Sequence, residues 1–269
     1  MDLGIAGRTA IVTGASRGIG AAVAMVLAAE GVNLVVSARG YEGLSSLEAD
    51  IRAAHPGIEL RCVAGDVCDL ATTEALVSAA SGVSASHGAD IVVNNAGSDA
   101  GHLPIDRLTD DDWERAYRIN VVSAVRLTTA ALANMRQQRW GRIVNMASYT
   151  ARVPEPFCAP YAAAKAALVN VTRNLSRSYA SEGVLANCVL PGLTRTEGIV
   201  ASFEAASSAT GRSTEDLLER MVERAPIDAG RVGTAGEVAA AIAFLCSEQA
   251  AWITGVALPV DGGTIRSAP

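Results

Sequence analysis

Residues 9 to 20 read T-A-I-V-T-G-A-S-R-G-I-G, and this stretch decides the fold. Its apolar start predicts a short strand from Thr9 to Thr13, and the alanine-rich continuation predicts a helix from Ala21 to Glu30. The glycines between them let backbone N–H groups approach a phosphate, and the helix points the positive end of its dipole at the same anion. A tight turn that only needs flexible residues is the alternative, but the first strand-to-helix junction favours a dinucleotide pyrophosphate.

Strand-like and helical patterns then alternate to the end of the chain, with no internal repeat. Further strands are expected at Val32 to Ser37, Ile58 to Ala64, Ile91 to Val93, Arg142 to Met146, Leu185 to Leu190 and Val256 to Val260. Further helices are expected at 71–80, 109–138, 160–182 and 234–247, and around Leu44, Leu47 and Ile51. This alternation predicts one α/β domain.

The composition limits the classes of function that fit the chain. Its 269 residues are 50% hydrophobic and carry a formal net charge of -6, with a sequence pI near 5.2. The scattered basic residues argue against a nucleic-acid or anionic-membrane partner. The five cysteines have no C-x-x-C spacing and the three histidines lie apart, so neither a metal site nor a disulfide framework is expected. With no long apolar run, the expected setting is soluble and cytoplasmic.

Ser148, Tyr161 and Lys165 form a candidate acid/base site. Tyr161 and Lys165 lie four positions apart in a helix expected to begin near Tyr161, so their side chains share a face. A free phenol titrates near ~10, and a neighbouring ammonium lowers its pKa toward the working range. Ser148 follows a strand-like run, where its hydroxyl can donate to a substrate oxygen. A lone Y-x-x-x-K is more often a solvated helix face, so the interpretation depends on the rest of the chain.

Other strand ends carry polar residues that suit a ligand. Asp66, after the third expected strand, could accept from an adenine amino group while Val67 lies on the ring, although a solvated strand cap is equally compatible. The run Asn94-Asn95-Ala96-Gly97 ends the fourth strand, at the edge where open α/β sheets place ligands. Asn120 lies inside an expected helix, where asparagine is usually just exposed. In a cofactor cleft it could instead hold a water through a disrupted helix turn.

The segment from Gly192 to Gly233 differs from the regular elements around it. Thr194 and Thr196 precede a weak helical pattern at Val200 to Ser208, and an amphipathic pattern follows from Thr214 to Arg224. Long segments of this kind are often active-site lids, so a substrate-covering lid insertion is expected at about 192–233. A plain surface helical hairpin is the alternative.

The motifs T-G-A-S-R-G-I-G, N-N-A-G, Y-A-A-A-K and P-G-x-T, with Asn120 and Ser148, resemble those of the short-chain dehydrogenase/reductase family, in order and over nearly the whole chain. The resemblance implies a single-domain Rossmann fold over residues 1–269, with a doubly wound central parallel sheet of about seven strands and helices on both faces. It also implies an NAD(P) cofactor, a homotetramer, and a catalytic tetrad of Asn120, Ser148, Tyr161 and Lys165.

The resemblance implies a role for each member of this tetrad. The tyrosine donates a proton to a carbonyl during reduction, and the serine holds the carbonyl oxygen. The lysine binds the nicotinamide ribose and tunes the tyrosine, and the asparagine supports a water relay. The residues expected to bind the cofactor are Gly14, Ser16, Arg17, Gly18, Ile19, Gly20, Arg39, Asp66, Val67, Asn94, Ala96, Gly97, Tyr161, Lys165, Pro191, Gly192, Thr194 and Thr196.

The residues after the second strand favour a phosphorylated ribose. Free ribose hydroxyls are best held by a carboxylate about twenty residues beyond the glycine turn, whereas a 2′-phosphate needs a cation. Residues 37–40 read S-A-R-G, with no acid before Glu42. Arg39, together with Arg17, therefore predicts a phosphate clamp and a preference for NADP(H), with NAD(H) possible. The alternative is that Arg39 is an ordinary solvated residue and Arg17 stacks on adenine with either cofactor.

The expected function is interconversion of a ketone and a secondary alcohol by hydride transfer, with Tyr161 as general acid/base. The end of the chain looks like that of bacterial 3-oxoacyl-carrier-protein reductases and sugar or polyol dehydrogenases. An NAD-dependent polyol, sugar or hydroxy-acid dehydrogenase is one alternative. A non-catalytic nicotinamide-binding sensor is another, but a sensor would be expected to lose the tyrosine or lysine. The substrate pocket is expected to draw on Ser98 to Leu103, Tyr149 to Cys158 and Gly192 to Ser208.

Overall fold

A computed structural model describes residues 2–98, 103–211, 213–224 and 227–266 of the protein. Its strands, in chain order, are β1 (Thr9–Thr13), β2 (Asn33–Ala38), β3 (Leu60–Ala64), β4 (Ile91–Asn94), β5 (Gly141–Met146), β6 (Val184–Pro191), β7 (Thr194–Arg195), β8 (Gly233–Thr234) and β9 (Ala257–Val260). Seven of them form one sheet in the order β3-β2-β1-β4-β5-β6-β9, and all its neighbouring strands are parallel.

Helices cover both faces of this sheet. They are α1 (Gly18–Ala29), α2 (Tyr41–Ala54), α3 (Leu70–Val83), α4 (Asp110–Tyr117), α5 (Ser123–Gln138), α6 (Ala159–Tyr179), α7 (Glu197–Thr210), α8 (Thr214–Arg224) and α9 (Ala235–Cys246). Val12 of β1 packs in one core with α1, α2 and α9, while the adjacent Ile11 packs in a second core with α3 and α5. This alternation follows from the two-residue period of a strand. The expected doubly wound Rossmann fold is confirmed.

β1 and β4 are hydrogen-bonded neighbours at the centre of the sheet. From β1 the chain adds β2 and β3 on one side, and from β4 it adds β5, β6 and β9 on the other. Crossovers leave these two strands in opposite directions, so a crevice opens at their carboxyl ends, where ligands of such sheets bind. The glycine turn after β1 and the N-N-A-G run after β4 therefore face one another. The fold brings together two motifs that lie far apart in the sequence.

Three expected helices differ from those observed. The long helix expected over 109–138 is divided by a π-helical turn at Arg118–Val122. The helix expected from Ala21 begins earlier, at Gly18, because packing against the strand before it outweighs the low helix propensity of glycine. The helix expected to reach residue 182 ends at Tyr179 and is followed by a 3₁₀ turn, Ala180–Glu182.

The segment after β6 is closed at its base by a small sheet that the sequence did not predict. Thr194–Arg195 (β7) pairs in parallel with Gly233–Thr234 (β8), so both ends of the segment are tied together. The weak helical pattern is a full helix, α7, which packs against α8. Residues 212, 225 and 226 of the expected lid lie outside the described residues. None of the helices in the described ranges is both long and apolar enough to cross a bilayer.

Candidate active site

The glycine turn after β1 is held in shape by Asn95. Its Nδ2 donates to the carbonyl oxygens of Thr13 (2.9 Å) and Gly14 (3.0 Å). In return, the Thr13 hydroxyl oxygen accepts from the backbone N–H groups of Asn95 (3.1 Å) and Ala96 (3.0 Å). Each strand end therefore satisfies the polar groups of the other. The sequence placed Asn95 at the ligand edge as part of the N-N-A-G run and Thr13 at the end of a strand, but it did not predict the hydrogen bonds between them.

The glycines of the turn leave space for a phosphate that side chains at their own positions would fill. Gly14 has a φ of +66°, which favours glycine. A Cβ at Gly20 would collide with the Gly14 carbonyl oxygen and lie 2.5 Å from Asn95 Nδ2. The N–H of Gly18, at the start of α1, donates to the carboxylate of Glu197 (2.8 Å), so an anionic oxygen already suits this position. The turn thus fits the pyrophosphate of a dinucleotide.

Two exposed arginines flank this turn. Arg17 is the N-cap residue of α1, and Arg39 immediately precedes Gly40, the N-cap residue of α2. The first turn of α2 packs against the glycine turn, since a Cβ at Gly43 would lie 2.7 Å from Ser16 Cβ. Within the described ranges, neither guanidinium forms an ion pair. Both cations therefore remain available to a ligand anion.

The residues expected around adenine and nicotinamide have different surroundings. Val67, Asn94 and Ala96 line one small cavity together with Thr13. The Asn94 side chain is directed into the interior, where its Nδ2 donates to Asn145 Oδ1 (2.8 Å) and Thr128 Oγ1 (3.0 Å). Its described contacts are thus with the protein interior. The exposed Asp66 accepts from the backbone N–H of Cys68 (2.8 Å) through Oδ1.

Lys165 is the only lysine in the chain, and its side chain is 3% exposed. Its Nζ donates to the Met146 carbonyl oxygen (2.7 Å) at the end of β5 and lies 5.4 Å from the centre of the Tyr161 ring. Burial lowers the pKa of Lys165 from 10.5 to about 7. Tyr161 is half-buried one helical turn earlier on α6, so the predicted pairing on one face is observed.

Asn120 sits in the π-helical turn and turns its amide into the site. Its Nδ2 donates to the carbonyl oxygens of Ala116 and Ser98 (both 2.9 Å). The side chain thus supplies a hydrogen-bond donor to the Ala116 carbonyl, four residues earlier in the bulged helix. Its Oδ1 is buried without a hydrogen-bond partner among the described residues. A Cβ at Gly97 would lie 2.6 Å from this oxygen and 3.0 Å from Lys165 Nζ. The buried acceptor and the buried amine thus border the same narrow space.

Ser148 is prepared to donate its own proton. Its Oγ accepts from the Thr150 backbone N–H (3.2 Å) and from the Thr150 hydroxyl (2.9 Å), and both residues are buried. With both of these bonds accepted, the Ser148 O–H is directed to a further acceptor. Thr150 was expected only within the pocket range Tyr149 to Cys158, and the short S-Y-T run gave no signal for its hydrogen bonds to Ser148.

The loop after Ser148 contains a second tyrosine, Tyr149, close to the site. Tyr149 donates to Glu155 Oε1 (2.9 Å), and burial, followed by this hydrogen bond, raises the pKa of Tyr149. Tyr149 therefore remains a protonated hydroxyl. In the same loop, Phe157 has a φ of 71° and is exposed. A positive φ is uncommon for an aromatic residue and often marks a ligand-binding position.

The residues expected after β6 are held by local hydrogen bonds. The N–H of Gly192, which follows Pro191, donates to the Val260 carbonyl oxygen (3.0 Å). The Thr194 hydroxyl donates to the Gly192 carbonyl oxygen (3.0 Å), so its own oxygen can still accept. Thr196 Oγ1 caps α7 by accepting from the Ile199 N–H (3.3 Å), so its O–H can still donate.

Part of the expected site lies outside the described residues, namely positions 99–102 of the expected substrate pocket from Ser98 to Leu103. Within the described ranges, no group of three or more histidine, cysteine or acidic side chains is arranged to hold a metal ion. The described site consists of the glycine turn, the Asn120–Lys165 space, Ser148 and the start of α7.

Comparisons with known proteins cover this whole arrangement. A family model described as Enoyl-(Acyl carrier protein) reductase matches residues 14–264. A 3-oxoacyl-[acyl-carrier-protein] reductase of Escherichia coli (strain K12) is 36% identical over 258 residues, which are 96% of this chain and 97% of that protein. An L-sorbose reductase from Gluconobacter frateurii, solved with NADPH and L-sorbose, has a TM-score of 0.94 at 32% identity over 100% of both chains. An actinorhodin polyketide ketoreductase solved with NADPH has a TM-score of 0.85 at 35% identity over 96% of this chain and 97% of that one.

Proposed function

Because the chain belongs to the short-chain dehydrogenase/reductase family of oxidoreductases, we propose that it interconverts a ketone and a secondary alcohol with NADP(H) as cofactor. The observation that carries this proposal is that Asn120 Oδ1 and Lys165 Nζ border the same narrow space at Gly97, and that Lys165 Nζ lies beside the Tyr161 ring. A solvated helix face would not bury these two polar atoms together.

The cofactor, when bound, supplies or accepts the hydride. The proton is handled by Tyr161, whose phenol protonates the carbonyl oxygen in reduction and accepts the alcohol proton in oxidation. Ser148 donates a hydrogen bond to the same substrate oxygen, since Thr150 already supplies both hydrogen bonds that its Oγ accepts. The substrate oxygen is thus placed between two hydroxyl donors, which stabilise the charge that develops on it.

Proton supply to Tyr161 passes through the space at Gly97. We propose that a water there donates to Asn120 Oδ1 and accepts from Lys165 Nζ, because these groups supply one acceptor and one donor. The lysine has two further tasks. It hydrogen-bonds the nicotinamide ribose, and in its cationic form it lowers the pKa of the neighbouring phenol.

The cofactor's remaining groups are assigned to the turn and to the segment after β6. The glycine turn binds the pyrophosphate, Thr196 donates to a phosphate oxygen, and Thr194 accepts from the nicotinamide amide. The segment 192–233 then covers cofactor and substrate as a lid. Its base is fixed by β7 and β8 on either side of α7 and α8, which supports the proposal.

Preference for NADP(H) rests on Arg17 and Arg39. The relatives solved with NADPH support it. We expect the double variant Ala38→Asp/Arg39→Ala to reverse the cofactor preference, because it places a carboxylate for ribose hydroxyls and removes a phosphate-binding cation. The kcat/KM values for NADPH and NADH on one ketone measure this.

The control for this reversal is Arg61→Ala, which removes an exposed arginine of β3 that pairs with Glu59 (3.6 Å). The control should retain the preference of the unmodified protein. A higher kcat/KM with NADH than with NADPH in the unmodified protein would show that the two arginines are not a phosphate clamp.

The substrate class is tested by a panel of small ketones, 3-oxoacyl thioesters, sugars and polyols with each cofactor. The names of the relatives support two of these classes, as they include a 3-oxoacyl-[acyl-carrier-protein] reductase and an L-sorbose reductase. We expect NADPH-dependent reduction of ketones. Preferential NAD-dependent oxidation of polyols, sugars or hydroxy acids would favour the dehydrogenase alternative. Cofactor binding without turnover of any member would instead indicate a nicotinamide-binding sensor.

The assembly and location of the protein stay predictions. We propose a homotetramer in the cytoplasm. Large apolar side chains that are exposed in the single chain support self-association, namely Trp113 and Tyr117 of α4 and Val125 of α5.

A further inference from the structure

The start of α7 rests on the glycine turn through a contact between residues that are 179 positions apart. Glu197, the first residue of α7, accepts a hydrogen bond from the Gly18 backbone N–H through Oε2 (2.8 Å). The preceding Thr196 packs against the same glycine, since a Cβ at Gly18 would lie 3.2 Å from Thr196 Cγ2. The segment after β6 therefore lies directly on the turn that binds the pyrophosphate.

The electrostatics of α1 explain why a carboxylate is stable there. The first backbone N–H groups of a helix lack partners within the helix and carry partial positive charge. At the start of α1, the N-cap residue Arg17 makes no side-chain cap and the first turn contains no acid. Glu197 supplies the missing anion from another part of the chain, with a charge-assisted hydrogen bond.

We propose that Glu197 stands in for a cofactor phosphate oxygen in the free protein and must leave Gly18 when the dinucleotide binds. This inference rests on the proposed function, because it needs a pyrophosphate at the glycine turn. The Gly18 N–H donates one hydrogen bond, so the carboxylate and a phosphate compete for it. Two anions within hydrogen-bonding distance of the same N–H group also repel one another. Glu197 is therefore a positioning residue that weakens cofactor binding and speeds cofactor release.

The same contact couples the cofactor to the lid. Thr194 and Thr196, which we assign to the nicotinamide amide and a phosphate, directly precede Glu197 in the chain. Displacement of the carboxylate by a phosphate frees the start of α7 to adjust around the cofactor. The segment thereby responds to cofactor binding through one hydrogen bond.

The test is Glu197→Gln, which removes the charge and keeps the size of an exposed side chain. We expect NADPH to bind about three- to tenfold more tightly and to dissociate more slowly, from the usual size of a charge effect at a helix terminus. The matched control is Glu215→Gln on α8, which removes the same charge from the same segment but makes no hydrogen bond to the glycine turn within the described residues.

A second measurement needs no cofactor. Amide hydrogen exchange of the free protein should be faster around residues 18 and 197 in Glu197→Gln than in the unmodified protein or in Glu215→Gln. Equal exchange in all three proteins, or an NADPH affinity that is unchanged or weaker in Glu197→Gln, would overturn this inference and leave the proposed function intact. Failure of the unmodified protein to bind NADPH or NADH would overturn both.

Discussion

Tyr161→Phe should lower turnover by about 10²–10⁴-fold, because it removes the hydroxyl that transfers the proton in general acid/base catalysis. The phenyl ring remains beside Lys165, so the fold and NADPH affinity should stay near those of the unmodified protein. Steady-state kinetics with a ketone measure turnover, and a fluorescence titration measures NADPH affinity.

Tyr179→Phe is the matched control for this change. Tyr179 lies at the end of the same helix, where Arg136 stacks over its ring at 5.5 Å. Its loss of a hydroxyl should leave turnover unchanged. Near-normal turnover by Tyr161→Phe would remove the tyrosine from the mechanism and with it the proposed proton path.

Lys165→Met should weaken NADPH binding by about 10- to 100-fold, since it removes a charged hydrogen-bond donor while keeping an unbranched side chain in the buried site. Turnover should fall as well, because the phenol loses its cationic neighbour. In alcohol oxidation, the acidic limb of the kcat/KM profile should move to higher pH. A profile at the same pH as that of the unmodified protein would contradict the pairing of Lys165 with Tyr161.

The ionisation of Lys165 can be read directly because the chain has no other lysine. Protein labelled with ¹⁵N-lysine should give one side-chain signal that titrates near pH 7, since burial lowers this pKa from 10.5 to about 7. Between these two values the unfolded chain binds a proton that the folded protein does not. The free energy of unfolding should therefore rise with pH from about 7 to 9, by up to about 1.4 kcal/mol per pH unit. Above pH 9 the cysteines whose pKa values burial raises oppose this rise. This rise should be absent in Lys165→Met.

Most of the fold followed from local patterns in the sequence. The strand from Thr9 to Thr13 was predicted with its observed bounds, because its buried apolar run and the glycine after it act within a few residues. The helical spacing of Tyr161 and Lys165 was visible for the same reason. Such signals depend on neighbours in the chain and not on the final packing.

The features that sequence analysis missed depend on contacts between distant residues. The disrupted helix turn at Asn120 was only an alternative in the sequence. It forms as a π-helical turn at Arg118–Val122, where Asn120 reaches the Ser98 carbonyl oxygen 22 positions away. The pairing of β7 with β8 joins the two ends of a long segment. Glu197 resembles any acid in a first helical turn until the fold places it on Gly18. Neither helix and strand propensity nor hydrophobic periodicity predicts these long-range contacts.

In the proposed reaction, this chain transfers a hydride between NADP(H) and a carbonyl carbon with Tyr161 as the proton donor. The decisive experiment incubates the unmodified protein and Tyr161→Phe with a panel of ketones and NADPH carrying deuterium at the reactive C4 position. Mass spectrometry then locates the label in the product. We predict that the unmodified protein forms an alcohol with deuterium on the carbinol carbon, and that Tyr161→Phe forms it about 10²–10⁴-fold more slowly. Bound NADPH with no labelled alcohol from any ketone, or equal labelling by both proteins, would contradict the claim.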